Sequence, residues 1–401
     1  MLRSFIRRFF EPRHYWRTVG FDELSELYVS QLLRSLGVSL IGIFAPIYLY
    51  KLGYSIQDIA LFNVFWFLLR PIFDIANAFL IGKIGPKHSM LLAALLHVGY
   101  LGLLISLPDL KWPLMLVAVI GSEAYGLYLL SIQVDFSKVK HAKHGGEELG
   151  YLTIVDKIGG ILGPLVGGLI ASFYDPRYTI ALSMLVLIAS IFPLFISNEP
   201  VRVNQDVTFR KLKIKEHIRD YISVIPFTLE NSVTAIVWPL YAAIFLLGSN
   251  VFAKLGGIIT VSTISMIFLS RAIGRVIDKS RGRDLLRLGT VVNAFLHLVR
   301  PFVTNITGVL AVGVINEPIT ASYRMPYMKG YFDASDSQPG YRIAYLSSVC
   351  ATDSATRLLL WLALWILLGV FSAKSVLVGT FYAASIFSLG IMSERYRALD
   401  R

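Results

Sequence analysis

The chain has 401 residues, of which 55% are hydrophobic and only 16% charged, and its mean hydropathy is +0.63. Soluble domains carry about 25% charged residues, so this balance excludes a soluble globular domain, a disordered chain, a collagen-like fibre and a disulfide scaffold, and leaves a polytopic membrane protein. The net charge of +12 calls for no nucleic-acid partner, because Lys and Arg gather on the cytoplasmic side of membrane proteins.

The first segment, Met1 to Arg17, holds five arginines and no continuous apolar core, which is not the pattern of a cleaved signal peptide. A bilayer core of about 30 Å takes about 20 helical residues. Apolar runs of that order predict twelve spans, at 23–50, 56–81, 89–108, 112–134, 150–173, 177–197, 221–247, 251–273, 286–304, 306–328, 343–370 and 375–393. Several breaks are short and carry turn residues, as in Leu52-Gly53-Tyr54-Ser55, Tyr174-Asp175-Pro176 and Gly248-Ser249-Asn250. The longest break, about 198–220, is basic and central. The expected organisation is therefore a six-helix bundle over 1–198, a cytoplasmic linker over 199–220 and a second six-helix bundle over 221–401.

Charge sets the orientation. With both termini cytoplasmic, the inner segments and the span ends beside them hold 28 Lys and Arg, against six on the opposite side (Lys51, Lys111, Arg177, Lys254, Arg300 and Lys374). That asymmetry is the positive-inside signal, and it supports an even number of spans. The halves also resemble each other weakly. Pro46-Ile47-Tyr48 matches Pro239-Leu240-Tyr241, Ala94-Leu95-Leu96-His97 matches Ala294-Phe295-Leu296-His297, and Glu123 matches Glu317. Two similar halves around a midplane site is a transporter design.

Two segments resemble motifs of the major facilitator superfamily. Gly274-Arg275-Val276-Ile277-Asp278-Lys279-Ser280-Arg281-Gly282-Arg283 is similar to that family's cytoplasmic loop motif, with the glycine one place late. Its first-half counterpart is degraded, and Gly82 stands at the aspartate position. In span five, Gly159-Gly160-Ile161-Leu162-Gly163-Pro164-Leu165-Val166-Gly167-Gly168 resembles the glycine-proline motif of the family's antiporters. The resemblance implies a gating role for Gly274, Asp278, Lys279, Gly282 and Arg283, and for Gly159, Gly163, Pro164, Gly167 and Gly168. Asp278 can pair across its loop or sit at a neighbouring helix N-terminus, and the span-five glycines permit close helix approach.

An ionisable side chain at the centre of a span costs about 2.5–3.5 kcal/mol on insertion scales and is usually functional. In the family fold, spans one, four, seven and ten line the central cavity. The candidates there for solute or proton binding are Arg34, Glu123, Glu230 and Glu317, with Tyr48, Tyr125, Trp238 and Tyr241 able to stack on an organic solute. The plainer reading of Glu123 and Glu317 is a fixed pairing with Arg34, Asn316 or a tyrosine. Arg70 with Asp74, and Asp353 with Arg357, are i,i+4 pairs on spans that meet between the halves. They form either one exchanging four-member network or two separate pairs. Asp156 and Lys157 read as interfacial anchors.

No phosphate-binding loop, metal-ligand histidine pattern or nucleophile elbow is present, and Cys350 is alone, so no disulfide, metal or cofactor is expected. The expectation is an all-α membrane protein of the major facilitator fold rather than an enzyme. It is a monomer in a plasma-membrane bilayer that moves a small organic solute by alternating access, most simply by proton-coupled export. Proton-coupled uptake is the alternative within the class, and a polytopic enzyme or lipid-handling protein the alternative outside it.

Overall fold

The computed structural model describes residues 21–139, 145–195, 207–210, 212, 214, 217–276, 282–336, 342–396 and 399. Among them every regular element is helical, and fifteen α-helices line up as twelve rods: 21–51, 56–84, 86–110, 114–139, 145–173, 176–195, 218–245, 251–276, 282–302, 306–336, 342–368 and 373–393. Rods one to six, eleven and twelve are long and apolar enough by themselves to cross a bilayer. Rods seven, nine and ten carry Glu230, His297, Arg300 and Glu317 along their lengths. The loop residues Asp278 and Lys279 lie outside the described residues.

Local chemistry starts and stops the rods. Ser55 and Asp58 form a reciprocal capping box at the start of rod two. Asp175 caps rod six ahead of Pro176, and Ser372 caps rod twelve. Gly85, at φ 86°, makes the turn from rod two into rod three that a side chain would strain. Prolines interrupt three rods. A 3-10 turn at Gly42–Phe44 precedes Pro46, the helix of rod two breaks at Leu69 before Pro71, and a π turn at Val233–Val237 precedes Pro239. Proline cannot donate to the carbonyl four residues back and crowds it, so the preceding turn rearranges.

The rods assemble as two six-helix bundles. Rod eleven runs along both helices of rod two, and rod five lies between rod one of its own bundle and rod eight of the other. Glycine makes the second arrangement possible. A Cβ on Gly163 would stand 2.4 Å from Cβ of Ser39, and one on Gly167 would stand 2.1 Å from the Leu40 carbonyl oxygen. On the other face, a Cβ on Gly168 would lie 2.6 Å from the Phe252 carbonyl oxygen, and one on Gly256 would lie 2.3 Å from that of Pro164. Thr260 also donates to the Ile161 carbonyl at 3.0 Å.

The bundles touch on both faces of the molecule. On the face away from the termini, rods one and seven meet around a cavity of about 70 Å³ lined by Gly42, Ile43, Pro46 and Ile47 and by Ala235, Ile236, Pro239 and Leu240. Each of the first four has its counterpart 193 positions later, so the seam lies on a pseudo-twofold axis. On the face of the termini, Phe136 and Phe332 meet edge to face at 5.8 Å, and the Tyr331 hydroxyl donates to Gln133 at 2.9 Å. Those contacts join rods four and ten.

Replacing Gly163 or Gly167 by valine drives a side chain into the backbone of rod one. We expect a loss of about 1–3 kcal/mol, the usual range for overpacking, read as a lower melting temperature of the purified protein. Gly160→Ala meets nothing within 4 Å and leaves the melting temperature unchanged.

Candidate functional site

The second bundle holds a closed polar cluster. Glu230 and Thr234 lie one turn apart on rod seven, and Asn293, His297 and Arg300 follow the same periodicity on rod nine. Glu230 accepts from Thr234 at 2.7 Å, Asn293 at 3.0 Å, His297 Nε2 at 3.2 Å and the Tyr323 hydroxyl at 2.7 Å. Arg300 reaches Thr234 at 3.3 Å, His297 Nδ1 at 3.0 Å and the Asn316 side-chain oxygen at 2.8 Å. A guanidinium can only donate. His297 therefore accepts at Nδ1, carries its proton on Nε2 and is neutral here, linking the two opposite charges. Glu230, His297 and Arg300 are each 0% exposed. Two expectations change as a result. Glu230 is an interior anchor of the second bundle, not a residue of an open cavity. Arg300 belongs to the same anchor and not to a loop at the membrane surface, because its side chain turns inward under the Trp238 ring, 5.3 Å from it.

The first bundle has a counterpart that lacks the anion. Arg34 on rod one is 3% exposed and lies 3.5 Å from the centre of the Tyr128 ring. The Tyr128 hydroxyl donates to Gln31 at 2.7 Å, and Gln31 donates to Asp156 at 2.8 Å. His97 on rod three is buried within electrostatic reach of Arg34. Arg34 Nη1 and His97 Nδ1 are both buried without a hydrogen-bond partner. A cation–π contact is worth about 0.5–2 kcal/mol, less than the insertion cost of a central charge.

A bridge joins the bundles. Lys157 Nζ on rod five lies 3.0 Å from Glu317 on rod ten, with the two side chains 27% and 25% exposed. Lys157 and Asp156 are thus bonded to side chains of other rods and are not surface anchors, and they point to different partners because they are consecutive on a helix.

Rods two, four and eleven hold the remaining charges. Arg70 pairs with Asp74 at 2.7 Å, donates to the Ser122 carbonyl at 2.8 Å and fills the space beside Gly126. Ser354 and Ser347 of rod eleven donate to the side chain and backbone of Asp74. Asp353 pairs with Arg357 at 2.9 Å. Thr228 donates to Asp353 at 2.6 Å, and Arg357 donates to Ser232 at 2.9 Å, so this pair ties rod eleven to rod seven. Of the two arrangements open from the sequence, the structure has two separate pairs, because each arginine curls back on the carboxylate one turn away. Glu123 sits half-buried beside Asn77, Arg70 and Asp74, and its Oε2 makes no hydrogen bond.

The aromatic candidates divide. Tyr125 is 43% exposed beside Arg34 and Arg70. Trp238 and Tyr241 are buried against Phe381 of rod twelve, at 5.7 and 5.3 Å. Tyr48 is buried near the far face beside Arg177. Tyr48 and Tyr241 are therefore packing residues of the bundles, drawn there by apolar burial. Of the loop motif, Gly274 continues rod eight and Gly282 opens rod nine. Arg283 pairs with Glu394 at 2.9 Å and donates to the Tyr396 carbonyl at 3.0 Å, which fastens the chain end to its own bundle.

Two bundles related by a pseudo-twofold axis, with ionisable side chains buried inside apolar rods and one ion pair bridging the bundles, define a secondary transporter that is a multi-pass membrane protein. A family model described as Major Facilitator Superfamily matches residues 27–328, about three quarters of the sequence, and the chain belongs to that family of transporters. The crystal structure of the human organic anion transporter MFSD10 (TETRAN) superposes with a TM-score of 0.67 at 11% identity, covering 92% of this chain and 99% of that one. An uncharacterized protein of Bacillus subtilis (strain 168), YqgE, is 24% identical over 159 residues, which is 38% of this chain and 36% of that protein's length.

The closed cluster has a stability consequence. Glu230→Gln leaves Arg300 buried without its counter-charge, a change that costs about 3–5 kcal/mol in comparable sites. Thr234→Val removes the hydroxyl that donates to Glu230 and accepts from Arg300 and costs about 1.5–3 kcal/mol. Thermal unfolding of the two purified variants checks the order.

Proposed function

We propose that the protein moves a small organic solute by rocking its two bundles, and that Glu123 carries a coupling proton. The observation behind this is the contrast among the three carboxylates. Glu230 accepts four hydrogen bonds and Glu317 has Lys157, while Glu123 Oε2 is buried with no hydrogen bond. Arg70, Asp74 and Asn77 of rod two surround Glu123, and rod two packs against rod eleven of the other bundle. A carboxyl whose neighbours shift between conformations takes up a proton in one and gives it up in the other. Lys157 and Glu317 serve as a latch in this scheme, since one partner sits on each bundle. The glycine contacts of rod five with rods one and eight, and the Arg70–Asp74 and Asp353–Arg357 pairs, guide the motion.

The family likeness of the rod-five motif supports export in exchange for protons. Arg34 favours the second direction, uptake together with a proton, because a proton and an organic anion moving together carry no net charge. The structural neighbour is named an organic anion transporter, and at its low identity it lends the fold alone. The distribution of Lys and Arg supports cytoplasmic termini in a plasma membrane. All twelve rods come from one chain, which supports a monomer.

Reconstitution into vesicles loaded with a pH-sensitive dye tests this reading. Pooled organic acids and amines are expected to collapse an imposed pH gradient faster in vesicles holding the native protein than in empty vesicles, where only their neutral forms cross the lipid. Glu123→Gln reduces the response to that of empty vesicles, and Lys157→Ala leaves coupling in place while changing the rate. Full pH-driven flux through Glu123→Gln overturns the assignment of the proton.

A further inference from the structure

The two bundles build the same frame around different charges. Rods three and nine each bury a histidine, His97 and His297, and rods four and ten each bury a tyrosine, Tyr128 and Tyr323. In the second bundle the frame encloses a carboxylate with its own arginine, and both His297 and Tyr323 bond to Glu230. In the first bundle it encloses Arg34 alone. Tyr128 turns its hydroxyl to Gln31 and offers Arg34 only its ring. Asp156 is bonded by Gln31, and among the described residues no carboxylate lies within ion-pair distance of Arg34. A guanidinium Nη1 and an imidazole Nδ1, on side chains 3% and 4% exposed, thus stand with unused hydrogen-bonding capacity within electrostatic reach of each other inside the first bundle.

We propose that Arg34, flanked by His97, is the subsite that receives the carboxylate of the transported solute, which makes that solute a small organic monocarboxylate. The assignment rests on the transporter reading above and narrows its substrate class. The chemistry is specific. The guanidinium fork presents parallel N–H groups at the spacing of the two carboxylate oxygens. A neutral imidazole adds a donor without adding charge. One positive charge balances one negative charge, and a phosphate dianion would leave a charge uncompensated. Tyr125, exposed beside Arg34, gives the body of the solute an aromatic wall. An organic cation would meet Arg34 as a like charge. In the second bundle the equivalent demand is already met from within, where Arg300 leaves only its Nε unbonded and its charge is balanced by Glu230.

Thermal unfolding of the full-length purified protein, with benzoate, hexanoate, benzylamine or benzyl alcohol present, reads the subsite without requiring transport. Benzoate or hexanoate is expected to raise the melting temperature of the native protein by about 1–2 °C at roughly ten times its Kd. Benzylamine and benzyl alcohol produce no shift. The shift disappears in Arg34→Gln and weakens in Arg34→Lys, which keeps the charge but not the fork. Stabilisation of Arg34→Gln by the acids, equal stabilisation of the native protein by the amine or the alcohol, or no stabilisation by either acid overturns the proposal. If Arg34→Gln does not fold, the ranking of acid, amine and alcohol on the native protein decides, with His97→Gln as the second variant expected to weaken the acid shift. Acid binding through Arg34 with no flux in vesicles retains the subsite and removes the transport reading. Flux of amines alone does the reverse.

Discussion

An ion kept from water needs its counterpart inside the protein. That constraint orders the charged side chains of this molecule, because a lone charge in the hydrocarbon layer carries a penalty that a few weak contacts do not offset. The second bundle meets it completely around Glu230, where four donors and an arginine bridged by a neutral imidazole leave no net charge. The paired residues of rods two and eleven meet it within one helical turn each. Lys157 and Glu317 meet it only while the bundles stand in their present relation. Arg34 does not meet it at all. The series runs from permanent, through conditional, to open, and a protein that must bind and release a polar solute needs members of each kind.

Internal duplication supplies the geometry. The two copies share their proline interruptions, since Pro46 and Pro239 break equivalent rods and bring equivalent residues to one seam. They share the histidine and tyrosine of the polar frames. They differ in the charge those frames hold. Duplication thus explains how one bundle can be a fixed anchor and the other a receptive one without any change of backbone plan.

The rods were legible from the chain, because apolar run length is a direct consequence of bilayer thickness. The close approach at Gly163 and Gly167 was legible too, since few other reasons exist to place small residues at that spacing in an apolar helix. The partners of the buried charges were not. Which of two adjacent residues, Asp156 or Lys157, turns to the other bundle depends on a helix rotation that periodicity fixes only loosely. Arg300 was hidden because a residue near a span end can turn either outward or inward, and only packing decides. A signal for the anchor did exist: Glu230 with Thr234, and Asn293 with His297, are polar pairs one turn apart in otherwise apolar helices. Tyr48 and Tyr241 show the opposite failure, in which a helix that borders the midplane still gives most of its bulky side chains to the interior.

Rod five touches rod one through Gly163 and Gly167, and rod eight through Gly168 and the carbonyl of Pro164. Backbone therefore rests on backbone where rod five meets rod eight of the other bundle, with the Thr260 hydroxyl bonded across to the Ile161 carbonyl. Such a surface behaves as a smooth bearing. In the proposed rocking motion the bundles tilt about it, and what must part is the aromatic and hydrogen-bonded contact of rods four and ten on one face, the apolar seam of rods one and seven on the other, and the Lys157–Glu317 bridge.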